Sequence, residues 1–245
     1  MHVSLSAEKL FTSPLLNVSN TLLTSWLAMA ILILLAFLGT RKISMVPGGF
    51  QNLLELIIDG LFNFFNSVWE NPKKTKKYFS LLATFFLFII FSNWLGLLPG
   101  VGSIGFTEVH HGEEVFVPLL RSVNSDLNST LSWAIISVFL VQVFGITSLG
   151  VLQYSKKFFN FSNPINFFVG LLELVSEFAK IVSFSFRLFG NVFAGEVLLV
   201  VITGLVPFFV PLPFYAMELF VGFVQALVFT MLTLVFIKMA TEAHH

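Results

Sequence analysis

The sequence predicts an all-α integral membrane protein, with about five membrane-crossing helices and one interfacial amphipathic helix in a single membrane domain, 1–245. Three observations predict it. Hydrophobic residues make up 56% of the chain and charged residues only 11%, far from the balance of soluble domains. Apolar runs of spanning length recur along it. The basic residues gather in short clusters at the ends of those runs. Phenylalanine alone contributes 32 residues, which suits lipid-facing helices better than a compact aqueous core. The formal net charge is zero, so no nucleic-acid partner is implied. The chain has no cysteine, which excludes disulfides, thiolate catalysis and cysteine metal sites together. Glu8 and Lys9, with no small-residue cleavage site nearby, do not read as a signal peptide.

The first span is expected over 17–39, closed by Arg41 and Lys42, whose charge argues for a cytoplasmic end. A turn at Pro47-Gly48-Gly49 follows. Apolar positions then fall at 50, 53, 54, 57, 58, 61, 62, 65 and 68, with Gln51, Asn52, Glu55, Asp59, Asn63 and Asn66 mostly opposite. That spacing predicts a helix over 50–68 lying at the membrane surface. Its polar face lacks basic residues, so a partner protein and anionic membrane lipid are both open as its docking surface.

Lys73, Lys74, Lys76 and Lys77 anchor the cytoplasmic end of a second span over 78–98, which Pro99-Gly100 ends. The loop that follows carries Glu108, His110, His111, Glu113 and Glu114 against Arg121, as expected on the outer side. Its paired histidines could bind a metal, but they offer no helical i, i+4 ligand pair, and an exposed polar loop is the better reading. A third span covers 127–154 and returns inside at Lys156-Lys157, with Asp126 and Asn128 as polar residues at its outer end.

Ser162-Asn163-Pro164 is a helix-start signal, and no strong breaker follows until Pro207, Pro211 and Pro213. A helix over 164–206 is about 60 Å long, twice the ~30 Å hydrocarbon thickness. It must lie oblique, kink, or begin along the surface. A last helix over 214–238 folds back to complete a long oblique hairpin, with Gly190, Gly195, Gly204 and Gly222 permitting close approach. The lysines are satisfied by an outside start, five crossings and an inside end.

Within this hairpin the run Ser183-Phe184-Ser185-Phe186-Arg187-Leu188-Phe189-Gly190-Asn191 places a permanent cation in an apolar segment. A guanidinium at membrane depth costs several kcal/mol, so it marks a functional site. Ser183 and Asn191 stand at i−4 and i+4, on the face of Arg187. Glu196 lies about 13 Å further along the axis and Glu173 about 21 Å back, with Glu177 and Lys180 between Glu173 and Arg187. From the returning helix, Glu218 and Gln225 share a face at i and i+7, and can offer a carboxylate to Glu196 and an amide to Arg187. The geometry permits two aqueous inlets separated by a cationic barrier.

Arg187-Leu188-Phe189-Gly190-Asn191, followed by Ala194-Gly195-Glu196, resembles the signature of subunit a, the ion-channel stator of F-type ATP synthases. Glu218, Gln225-Ala226 and the Phe229–Thr233 run resemble the last helix of the same family, so the likeness covers essentially the whole chain. The resemblance implies two offset half-channels facing a rotating ring of c subunits, through which protons or sodium ions pass to drive ATP synthesis. It implies Arg187 as the arginine opposing the ring carboxylate. Asn191, Glu196, Glu218 and Gln225 match its outer half-channel positions, and Glu173 and Ser183 match positions toward the inner one. It also implies a peripheral stalk of b subunits as partner, no cofactor, and a non-catalytic role in the inner membrane of a bacterium. Asp126 and Asn128 read equally as residues near the outer access route or as helix caps. Gly96 stands where some members have an aspartate, with polar Asn93 one turn earlier. Two other classes fit less well. A secondary transporter calls for an internal repeat of the hydrophobic segments, which the sequence lacks. A self-contained enzyme calls for a nucleophile–base pair, metal motif or phosphate loop.

Overall fold

A computed structural model describes residues 9–12, 17–41, 43–46, 48–98, 100–101, 104–110, 113–158 and 164–242. Glu8, Lys42, Pro47, Pro99, His111, Ser162 and Asn163, which the sequence readings cite, lie outside the described residues. The chain is all-α in class. Helices α1 (Asn20–Thr40), α3 (Pro72–Leu97), α4 (Leu127–Leu149), α6 (Pro164–Leu205) and α7 (Pro211–Thr241) are long and apolar enough to cross a membrane. Helix α2 (Gly49–Trp69) is amphipathic, and α5 (Val151–Ser155) is a single short turn of helix. Two antiparallel hairpins, β1 (Lys9–Thr12) with β2 (Asn17–Ser19) and β3 (Gly105–His110) with β4 (Glu113–Pro118), complete the described elements.

Local chemistry accounts for the helix starts. Ser19 caps α1 by accepting from Leu22 N at 3.3 Å, and Asp126 caps α4 by accepting from Asn128 N at 3.2 Å. Asn71 accepts from Lys73 N and Lys74 N, with Pro72 at the first helical position. Helix α3 therefore begins within the lysine cluster rather than after it at Tyr78. Helix α4 ends at Leu149 rather than Tyr154, because Gly150 takes φ 83 and ψ 152 and breaks the helix. Helix α7 begins at Pro211, ahead of the expected Phe214, since the first turn tolerates Pro211 and Pro213 without a lost hydrogen bond. The expected loop between α3 and α4 folds largely into the β3–β4 hairpin, where Phe106 and Val117 supply strand-forming side chains.

Helix α3 packs along α7 and α4 packs along α6, while α4 also meets α7, so these four helices enclose the interior. One buried cluster joins Phe65 and Trp69 of α2 to Tyr78, Leu82, Tyr154, Leu234 and Ile237. A second joins Phe85, Ile89, Phe184, Leu188 and Phe229. The ends of the bundle differ. Lys74 meets Glu242 at 3.6 Å and Lys238 donates to Val68 O at 3.0 Å, which gathers the starts of α3 and the end of α7 at the lysine-rich end. The opposite end holds the 3-10 turn Val123–Ser125 against α1, where Thr24 accepts from Arg121 N at 3.1 Å.

Candidate functional site

Helix α6 runs unbroken for 42 residues and carries Arg187 near its middle. Its buried side presents Phe184, Ser185, Leu188 and Gly195 to the bundle, while Ser183, Phe186, Arg187, Gly190, Asn191 and Ala194 are exposed on the other side. Arg187 lines a groove of about 250 Å³ between α6 and α7, with Ser176, Ala179, Lys180, Ser183, Phe184, Leu232 and Phe236. Among the described residues no carboxylate lies within ion-pair distance of it. One turn along, Asn191 Nδ2 donates to Gln225 Oε1 at 2.8 Å. The amide of α7 thus meets Asn191 rather than Arg187.

Glu196 is held by a residue the sequence reading passed over. Arg121, buried to 6% exposure, reaches it from the connection before α4, with Nε 3.2 Å from Oε1. The expected carboxylate partner, Glu218, instead lies against Gly195. A Cβ at position 195 would overlap its carboxyl group, so glycine there is what lets a carboxylate of α7 enter the α6 interface. Glu218 is 7% exposed. The two glutamates are brought to neighbouring positions, Glu196 paired with Arg121 and Glu218 against Gly195.

Beside them runs a buried polar seam. Asn124 Nδ2 donates to Asn93 Oδ1 at 2.7 Å, and Asn93 Nδ2 donates to Gly222 O at 3.1 Å. Ser92 Oγ, Ser122 Oγ, Asn124 Oδ1 and Gln225 Nε2 are buried without a protein partner among the described residues, so they are places for ordered water. Position 96 has no space for an aspartate: Ser122 packs directly on Gly96, with its Cβ 2.5 Å from where a Cβ would stand. Asp126 caps α4 and also accepts from Thr21 Oγ1 at 3.4 Å.

At the other end of α6, Lys157 binds Glu173 at 2.7 Å and Glu177 at 3.5 Å, and Lys180 binds Glu177 at 2.8 Å. Gly170 admits the Phe158 carbonyl against the helix, so residues 154–158 lie across it as a strap. Tyr154 donates its hydroxyl to Gln142 Oε1. Burial first, then the charges of Glu177 and Glu173, push that hydroxyl up to about 12, so it stays a neutral donor at physiological pH.

Seven sequence-derived residues therefore fall into three groups: Arg187 with Ser183 in the exposed groove, Asn191 with Gln225, and Glu196 near Glu218, while Glu173 stands apart with Lys157. Arg121 and Lys157 were missed. A signal for Arg121 existed: it is the only basic residue between Lys77 and Lys156 other than histidine, directly before a polar run that opens a span.

Five helices long and apolar enough to cross a membrane, with Arg121 paired to Glu196 inside the bundle and Arg187 exposed on α6, define a multi-pass membrane protein that carries charged side chains within its spans. Residues 22–238 match the family described as ATP synthase A chain. "ATP synthase subunit a" of Gloeobacter violaceus is 37% identical, over 94% of this chain and 87% of that relative. "ATP synthase subunit a 3" of Pelobacter propionicus is 35% identical over 90% and 87%, and "ATP synthase subunit a" of Moorella thermoacetica 31% identical over 92% of each. The chain belongs to the ATP synthase A chain family, and is a multi-pass bacterial membrane protein.

Proposed function

We propose that this subunit of the ATP synthase membrane sector, which takes part in proton translocation, does so through two offset half-channels that meet a c-subunit ring at Arg187. The observation that carries the reading is a contrast in pairing. Glu196, Glu173 and Glu177 are each held by a basic side chain, whereas Arg187 stands exposed and without a carboxylate among the described residues. An unpaired guanidinium in an apolar face needs an anion, and a membrane-embedded carboxylate of a rotating ring supplies one. The outer inlet follows the polar seam by Asn93, Asn124 and Ser122 to Glu218, Glu196, Asn191 and Gln225. The inner inlet opens from Glu173 along the groove by Ser183.

Each residue then has a role. Glu218, against Gly195, and Glu196, beside Arg121, exchange protons with the seam. The Arg187 guanidinium is a permanent cation, so it favours ionisation of the ring carboxylate and separates the inlets without conducting. The ion's fall through the potential supplies about 2.3 kcal/mol per charge per 100 mV. This subunit is itself non-catalytic, needs no cofactor, and works with peripheral stalk b subunits and membrane lipid; sodium in place of protons fits the same layout.

Because the chain has no cysteine, single cysteines report contact cleanly. Ala194→Cys lies on the exposed face of Arg187, and Phe139→Cys is exposed on α4. With a second cysteine beside the ring carboxylate, oxidation should join the ring to position 194 and leave position 139 unlinked. A ring joined to position 139 and not to 194 would place the wrong face against it.

A further inference from the structure

The ion-pair cluster on the lysine-rich half of α6 holds more than a staple requires. Glu177 has a side chain only 12% exposed. Its Oε1 receives both Lys180, at 2.8 Å, and Lys157, at 3.5 Å. Its Oε2 is buried and has no partner among the described residues. Two cations on one oxygen and no protein partner on the other is a poor arrangement for a structural clamp, because the second oxygen adds nothing to the hold. It is a serviceable arrangement for accepting a proton. Glu177 also stands at a junction. Lys157 ties it to Glu173, one turn toward the end of the bundle. Lys180 ties it to the groove that Arg187 lines, where the ammonium sits 4.6 Å from the Phe236 ring centre. The groups facing Glu177 are Lys157 from the strap, Tyr154 from α5, and Glu173 and Lys180 from α6 itself.

We propose that Glu177 is a further proton-exchanging residue of the inner inlet, passing protons between the Arg187 groove and Glu173, with Lys157 as the residue that positions both carboxylates. The inference rests on the reading of Arg187 and Glu173 given above. In the synthesis direction a proton leaves the ring and crosses water in the groove, which has room for several molecules. The bond between that proton and a water oxygen breaks as an Oε2–H bond forms, and Glu177 becomes neutral. The Oε2–H bond then breaks as the proton passes to Glu173 and on to bulk water, and Glu177 regains its charge. No electron moves, and the lysines take no part in the transfer.

The test uses intact ATP synthase in inverted membrane vesicles, with assembly checked by the stoichiometry of the purified complex. ATP synthesis is followed while pH is varied on the cytoplasmic side alone, then on the outer side alone. Glu177→Gln keeps the shape and the hydrogen bonds but carries no proton; it should slow synthesis by about tenfold, at the low end of what a positioned proton-transfer group contributes. Glu177→Asp should recover to within about twofold of the unchanged enzyme. Lys157→Met should change the cytoplasmic-side pH profile and leave the outer-side profile in place, because the cation that holds both carboxylates from the strap is removed. Equal impairment in Gln and Asp with unchanged profiles, or unimpaired synthesis in Gln, overturns the proposal. If Glu177→Gln does not assemble, an unmoved profile in Lys157→Met overturns it. An Arg187→Ala enzyme measured alongside separates the two claims: ATP synthesis by that variant defeats the reading of the site, whereas its failure beside a normal Glu177→Gln enzyme defeats only this inference.

Discussion

Glu196 and Glu218 have the same chemistry and opposite surroundings. Glu196 has the Arg121 guanidinium 3.2 Å away, while Glu218 is packed into the α6–α7 interface against a glycine. With no cation paired to it among the described residues, Glu218 is the carboxylate that carries a proton on and off in the proposed outer inlet. Glu218→His should therefore retain much of the coupled synthesis, since an imidazole relays protons, and Glu218→Leu should lower it by 10²-fold or more. Proton-driven synthesis by purified complexes of normal subunit composition decides this; equal losses in both variants take Glu218 out of the pathway. The difference between the two glutamates was hidden in the sequence. Helical spacing brings Asn191 to the face of Arg187, and Gln225 to that of Glu218, without knowledge of the fold. Arg121 is 75 positions from Glu196, and only the path of the connection before α4 brings them together.

Elements are legible to the degree that periodicity sets them. The amphipathic stripe of α2 and the long apolar runs of α6 and α7 follow from spacing and composition. Their ends depend on single residues whose influence runs over one turn. Asn71 with Pro72 starts α3 in the lysine cluster, and the proline pair that suggested a turn opens α7. The β3–β4 hairpin was unreadable because Glu108, His110, Glu113 and Glu114 made its stretch read as a polar loop. Gly150 sets the most consequential boundary, since its φ of 83 and ψ of 152 turn the chain so that Lys157 lies across α6. That region of backbone space is nearly closed to other residues, with a penalty of about 1–3 kcal/mol. Gly150→Ala should therefore lower unfolding stability by ~2 kcal/mol and loosen the strap, leaving cross-linking at position 194 unaffected. Unfolding in detergent followed by circular dichroism measures the loss; a midpoint equal to that of the unchanged subunit shows the turn is not strained by a side chain.

At the scale of the whole molecule the charges are sorted. Lysines and their carboxylates lie at one end, the Arg121–Glu196 pair and the polar seam toward the other, and Arg187 between them on an exposed face. Composition alone indicates the membrane, since a chain with mean hydropathy of +0.91 cannot hide its apolar surface from water. Division of the polar interior into two separate sets emerges only from the packing of α3, α4, α6 and α7. In the proposed function Arg187 has two tasks, pairing with the ring and keeping the inlets apart. Arg187→Lys keeps a charge but loses the planar fork that pairs with a carboxylate through two hydrogen bonds. Arg187→Ala removes the charge altogether. The decisive measurement is ATP synthesis together with passive proton uptake in energised vesicles carrying each variant in fully assembled complexes. The account predicts that both variants fail to synthesise ATP, and that the alanine variant also leaks protons without turning the ring. ATP synthesis by Arg187→Ala at a rate near that of the unchanged enzyme would contradict it.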